Sequence, residues 1–294
     1  MKKLMTIFPV ISGIMWGSAG IFVRTLTNLG MDAYTIVATR VIVAVILMFI
    51  WLAISAPACL KIKLKDAWIF FVTGMIGMFA INLCYNLAIR DVTLSLAAVL
   101  LSMSPIFVLV LAAILFKEKI TKRKLICMLL ALAGCVFVSG IFETGAGMQW
   151  SVRGILLGLL AAFFYAIYSL ISKAVMKKGY HAFTITFYSL VFVMLVVLPI
   201  TDWEITFEVV KTGGIKMILF MILHSLCASV LSYVLFTVSL NHIDAGKASI
   251  LAACEPIAAM IFGAIFFAEV PTILSICGLI LAILAITIMS LPEK

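Results

Sequence analysis

Apolar runs of about 20 residues recur along the chain, and short stretches between them carry nearly all of its charge. A helix needs ~20 apolar residues to cross a ~30 Å hydrocarbon core. On that measure the pattern predicts ten membrane-spanning helices. They fall at roughly 4–24, 34–54, 67–89, 94–116, 123–142, 153–176, 182–201, 216–239, 246–267 and 273–291. The first follows Lys2 and Lys3 as a signal peptide would, but it is too long and lacks a small-residue cleavage site, so it is expected to be retained. Polar positions inside the runs recur at helical spacing. Asn82, Tyr85 and Asn86 share a face of the third run, and Tyr165, Tyr168, Ser169 and Ser172 one of the sixth. Ser225, Ser229 and Ser232 do so in the eighth, with Tyr233 adjacent. In a bilayer such groups must face protein or water, so these stripes are predicted to point inward. Hydroxyls and small residues also promote close helix packing, so any one of them is explained as well by packing as by contact with a solute.

The pattern is duplicated. One register shift lays Gly30, Ala33, Thr35 and Ile36 on Gly179, Ala182, Thr184 and Ile185. A shift two residues longer lays Ala97, Leu100, Pro105, Ile106 and Glu118 on Ala248, Leu251, Pro256, Ile257 and Glu269. The expected fold is an all-α integral membrane protein, its ten helices forming two five-helix repeats over residues 1–145 and 146–294. An odd number of spans per repeat inverts the second copy relative to the first. Inverted halves that open alternately to the two faces are a transporter architecture.

Composition removes other classes. The chain is 66% hydrophobic and 11% charged, with a mean hydropathy of +1.31, which excludes a soluble domain. The net charge of +9 invites a nucleic-acid reading, but the basic residues lie in short loops between spans, so no nucleic-acid partner is expected. With the N-terminus inside, one face carries fifteen Lys and Arg against five on the other. That asymmetry predicts a multi-pass protein of the cell membrane with both termini cytoplasmic. The seven cysteines show neither CxxC nor metal-ligand spacing, and the three histidines are scattered. No Gly-rich phosphate loop occurs, so no cofactor or metal is expected.

Charges inside spans cost ~2.5–3.5 kcal/mol each on insertion scales and are rarely idle. Glu255 lies about nine residues into the ninth span, roughly 13 Å deep at 1.5 Å per residue. Pro256 follows it, as Pro105 follows Ser104 in the fourth, and both prolines are expected to kink their helices. A carboxyl at that depth is a candidate proton acceptor, or else a structural group bonded to a neighbouring span. Arg40, near the outer end of the second span, is a candidate for holding an anionic group or pairing with Glu255; snorkelling to the interface is the alternative. Arg24 and Lys173 sit nearer span ends and are expected to be interfacial. Glu118 and Glu269 are expected to be loop or gate residues. His224 is a weaker titration candidate. The expected substrate pocket comprises Trp16, Asn82, Tyr85, Asn86, Ser104, Tyr165, Tyr168, Ser169, Ser229, Ser232, Tyr233 and Glu255. Such a lining suits a mid-sized amphipathic solute better than a bare ion.

These residues carry a resemblance. The two five-span repeats, Trp16-Gly17 in the first span, Arg40 early in the second, and the Pro-to-Glu spacing of 105–118 restated at 256–269 resemble the ten-span EamA-type branch of the drug/metabolite transporter superfamily. The chain departs from strict repetition at Ser104, opposite Glu255, and at Ser189, opposite Arg40. The resemblance implies a secondary transporter of small organic metabolites, often an exporter of amino acids or related compounds, with the lipid bilayer and a small molecule as partners. Coupling to protons at Glu255 is a further expectation. A channel or an uptake carrier remains the alternative, and an integral-membrane enzyme a more distant one, since Glu255 has no catalytic partner in sequence.

Overall fold

The structure is a computed structural model. It describes residues 5–92, 94–138, 151–268 and 270–291. Among them there is no strand, and nine helices are long and apolar enough to cross a membrane. A further helix, Lys122–Val138, has 17 residues and supplies the remaining crossing. In order, the first and second spans are Ile7–Asn28 and Ala33–Ser55. The third joins Ala67–Val72, a π-helical stretch Thr73–Phe79 and Ala80–Asp91. The fourth is Leu94–Leu101 with Ser104–Phe116, and the fifth Lys122–Val138. The sixth is Val152–Lys177 and the seventh Ala182–Val197. The eighth joins Trp203–Ser225, a π-helical stretch Leu226–Leu231 and Ser232–Leu240. The ninth is Ala245–Ala252 with Glu255–Phe267, and the tenth Ile273–Ser290.

Loop contacts sort the links onto two faces. On one, the Tyr180 hydroxyl donates to Asp66 at 2.7 Å and accepts from the Lys63 amide at 3.2 Å. Thr184 and Tyr188 donate to the carbonyls of Cys59 and Leu60 at 2.8 and 2.6 Å. The 57–66 and 178–181 links therefore share a face. On the other, the Asp202 amide donates to the Thr35 hydroxyl at 3.1 Å, which places the first-to-second link beside the seventh-to-eighth. This alternation is what repeated crossing requires.

One expectation needs correction: residues 202–215 were expected as a loop but form a helix that breaks at Gly214. Asp202 caps it by accepting from the Ile205 amide at 3.1 Å, and it bends at Gly214, where φ is 57°. The break separates a helical stretch over 203–213 from the part over 215–240, whose 26 residues span ~39 Å at 1.5 Å per residue, enough to cross a ~30 Å core. Gly213-Gly214 among Glu204, Glu208 and Lys211 read as a loop because both signals are those of a breaker. At the prolines the fourth and ninth helices are interrupted: they stop at Leu101 and Ala252, then restart at Ser104 and Glu255. Pro105 and Pro256 occupy the second position of the new helix, where the missing N–H had no intrahelical partner to lose. Both new helices end on a residue in the left-handed conformation, Lys117 at φ 55° and Ala268 at φ 54°.

The break in the ninth span is held by the first. Gly13 and Gly17 sit one turn apart on the same face and are buried. A Cβ at Gly13 would lie 2.5 Å from the Ala252 carbonyl oxygen, and one at Gly17 2.5 Å from that of Glu255. Only glycine permits this backbone-to-backbone approach.

Candidate functional site

Glu255 opens a 13-residue half-helix, so its side chain stands at the end that favours negative charge. Its electrostatic neighbours are Tyr85 of the third span, Cys135 of the fifth, Tyr165 of the sixth, Tyr233 of the eighth and adjacent Cys254. With Gly17 of the first span against its carbonyl, it is surrounded by spans and faces the bundle interior. Among the described residues its carboxylate has no hydrogen bond and no ion pair.

The rings around it form one cluster. Trp16 lies 6.0 Å from Tyr165, 5.2 Å from Tyr233 and 5.5 Å from Phe236. Tyr233 lies 5.3 Å from Tyr168. Edge-on geometry dominates, as aromatic quadrupoles prefer. Tyr168 is fully buried, and its hydroxyl is hydrogen-bonded to that of Thr237 at 2.9 Å, so it serves as a wedge. Ser169 donates to the Tyr165 carbonyl within its own helix. Ser229 and Ser232 are buried with unpartnered hydroxyls. Ser104 is buried at the start of the other half-helix. Asn82 and Asn86 lie elsewhere, lining a crevice of about 10 Å³ with Tyr34, Val37, Phe79, Leu83 and Val197. The Asn82 amide donates to the Met78 carbonyl of its own helix at 2.8 Å.

Arg40 does not pair with Glu255. Its Nε is buried without a partner, and among the described residues no hydrogen bond or ion pair reaches it. Tyr233 and His224 are its electrostatic neighbours. His224 stacks on Phe22 at 4.9 Å, and its Nε2 is likewise buried and unpartnered.

The face that carries the 57–66 link also carries a charged network. Lys173, expected at the interface, is only 9% exposed and donates to Glu118 at 2.6 Å and to the Ile243 carbonyl at 3.3 Å. Glu118 also accepts from the Ala245 amide at 3.1 Å, capping the ninth span. Lys124, 2% exposed, donates to Asp244 at 2.5 Å. Phe116 lies 4.5 Å beneath the Lys177 ammonium. These contacts tie the fourth and fifth spans to the sixth and ninth. On the opposite face Arg24 lies 4.4 Å over the Phe267 ring. Glu269 lies outside the described residues.

Fold and site together define a multi-pass helical membrane protein whose interior holds Glu255 at the break of the ninth span and Arg40 on the second. The sequence profile of the EamA-like transporter family matches twice, over residues 3–140 and 152–291. The chain belongs to this family, within the drug/metabolite transporter superfamily, and its relatives are transporters rather than enzymes. It is 24% identical to an uncharacterized transporter of Haemophilus influenzae, over 87% of this chain and 81% of that one. It is 27% identical to the pseudopaline exporter CntI of Pseudomonas aeruginosa, over 76% of this chain and 75% of that one. A solved crystal structure at 15% identity superposes with a TM-score of 0.78, covering 97% of this chain and 95% of the other, which shows a shared fold.

Proposed function

We propose that the protein is a secondary transporter that exports a small organic metabolite across the cytoplasmic membrane by alternating access, with Glu255 as its proton acceptor. The observation that carries this reading is the unpartnered Glu255 carboxylate at the break of the ninth span, enclosed by residues of the first, third, fifth, sixth and eighth. A broken helix presents a helix end and free backbone at membrane depth, which is tolerated only beside protein or a cavity. The matching breaks before Ser104 and Glu255 support two inverted halves, residues 1–145 and 146–294, that rock about this point. A carboxyl that meets water in one state and a drier setting in the other titrates differently in the two, which couples proton movement to the cycle. The titratable groups facing it are Tyr85, Cys135, Tyr165, Tyr233 and Cys254. Outward direction is supported by the exporter among the relatives, and cytoplasmic termini by the charge asymmetry.

The test is Glu255→Gln in sealed proteoliposomes. Gln keeps the size and most hydrogen bonding but cannot ionise. Folded protein with lost or pH-insensitive transport is expected; normal transport with an unchanged pH profile would make Glu255 structural. In the same vesicles conductance would indicate a channel, and chemical change of the solute an enzyme.

A further inference from the structure

Among the described residues, Arg40 and Glu255 stand inside the bundle as opposite charges without hydrogen-bond or ion-pair partners. Arg40 has a sealed Nε and no hydrogen bond or ion pair among the described residues, and Glu255 has none either. Unpaired charges removed from water are costly, and each could have relieved the other as a brace between spans. They do not, although Tyr233 lies within electrostatic reach of both. Tyr233 belongs to the ring cluster of Trp16 and Tyr165, and Tyr165 is itself an electrostatic neighbour of Glu255. A cation, an aromatic wall and an anion therefore follow one another across the interior.

We propose that Arg40 and Glu255 are the two poles of one solute site that takes a dipolar organic ion. Its carboxylate meets Arg40, its ammonium meets Glu255, and its carbon skeleton lies on the rings of Trp16, Tyr165 and Tyr233. This deepens, and rests on, the reading of Glu255 as part of the transport site. The chemistry of each pole is suited to it. A guanidinium fork matches a carboxylate, and an ammonium gains from aromatic faces beside a carboxylate. The unpartnered Nε2 of His224 next to Arg40 offers the anionic group a further polar contact. With the rings of Trp16, Tyr165 and Tyr233 between the poles, the solute carries its charges at the two ends of its skeleton, as an ω-amino acid does.

The test measures binding by ligand-dependent thermal shift on the purified full chain. The probes are ω-amino acids of three to six carbons, each beside the carboxylate and the amine of equal length. At least one ω-amino acid is expected to bind about tenfold or more tightly than both of its singly charged analogues, since a charge-assisted contact is added at each end. Arg40→Gln should erase the preference over the amine and keep that over the carboxylate; Glu255→Gln should do the reverse. Arg40→Lys and Glu255→Asp retain the charges and should retain both preferences. If no ω-amino acid is preferred by the wild-type chain, the proposal falls, whether or not any variant folds. It falls equally if the neutral variants weaken all ligands alike. Binding in the expected pattern with no flux in sealed vesicles would sink the transport reading and leave the site standing. Flux without dipolar preference would sink the site and leave transport standing.

Discussion

A single methyl group at position 17 tests how the site is built. In Gly17→Ala the new Cβ would lie 2.5 Å from the Glu255 carbonyl oxygen, 2.7 Å from Ala258 Cβ and 2.9 Å from the Ala259 amide nitrogen. Two of these are backbone atoms of the half-helix, so no rotamer change relieves the clash. The first and ninth spans must part by about 1 Å to reach ordinary contact at ~3.5 Å. Overpacking of this kind costs ~1–3 kcal/mol. Gly20 supplies the control. It lies on the same helix, is exposed, and has nothing within 4 Å of a Cβ. Alanine in place of either glycine gains roughly the same ~1 kcal/mol of helix propensity, so the gain cancels in the comparison.

Gly17→Ala should thus be less stable than Gly20→Ala by ~1–3 kcal/mol, measured by equilibrium unfolding of both variants in one detergent. The displaced atom is the carbonyl of Glu255 itself, so transport or ligand binding should fall in the first variant and stay near wild type in the second. Equal stability and equal activity of the two would show that the first span does not seat backbone to backbone on the break.

Lys173→Met strands the Glu118 carboxylate, whose side chain is 8% exposed, and should cost ~3–5 kcal/mol. Adding Glu118→Gln should recover part of that loss, and strict additivity in the double-mutant cycle would deny the pair any coupling. At the 57–66 link, the Tyr180 hydroxyl, followed by Lys178, holds the Asp66 carboxyl below the usual carboxylate range. Its contribution to stability is therefore fully present above the unfolded carboxylate value of ~3.9 and is lost as pH falls through the lower folded value. Hydrogen exchange of residues 57–66, corrected for intrinsic rate, should stay constant from neutrality to about pH 4 and quicken below it. Tyr180→Phe should quicken it from neutrality down to about pH 4 and flatten the acid response, and an acid-insensitive wild type would exclude the bond as the clasp. Single-cysteine labelling should reach 55–66 and 117–124 from the cytoplasm and 202–215 from outside; reversal of both would overturn the charge-based orientation.

The spans were legible because a bilayer imposes length and hydrophobicity together, and no other fold writes ten such runs into one chain. The candidate site was partly legible for the same reason. Glu255 stands out as an acid in an apolar run, and Tyr165 lies on, and Tyr233 beside, a polar face that had to turn inward. What escaped was whatever depends on distance between spans. Lys173, near a helix end, read only as interfacial, because its partner Glu118 lies 55 residues away, just past the fourth span. Gly17 was noted only beside Trp16 in the resemblance and Gly13 not at all, because glycine in a membrane helix is common and only the opposing carbonyls of Ala252 and Glu255 make it necessary. The third-span stripe separated, with Tyr85 near Glu255 and Asn82 and Asn86 in a crevice against the second and seventh spans. Residues three and four apart on a helix are neighbours, yet a face that wide touches more than one neighbouring helix.

The same geometry separates what the fold needs from what the site needs. Both halves break at the matching place and restart with a proline, so the break belongs to the architecture. The charges do not repeat. In the register of the duplication Glu255 stands opposite Ser104, and Arg40 opposite Ser189. Serine is accommodated at both counterparts, where Ser104 and Ser189 are buried. Neither the broken helix nor the early turn of the second span therefore requires a charge in order to form. Each charge costs stability inside a bilayer, and neither offsets the other, since no ion pair joins them. An expense the fold does not require, incurred once in each half and with opposite sign, is what an asymmetric solute would select from a symmetric frame.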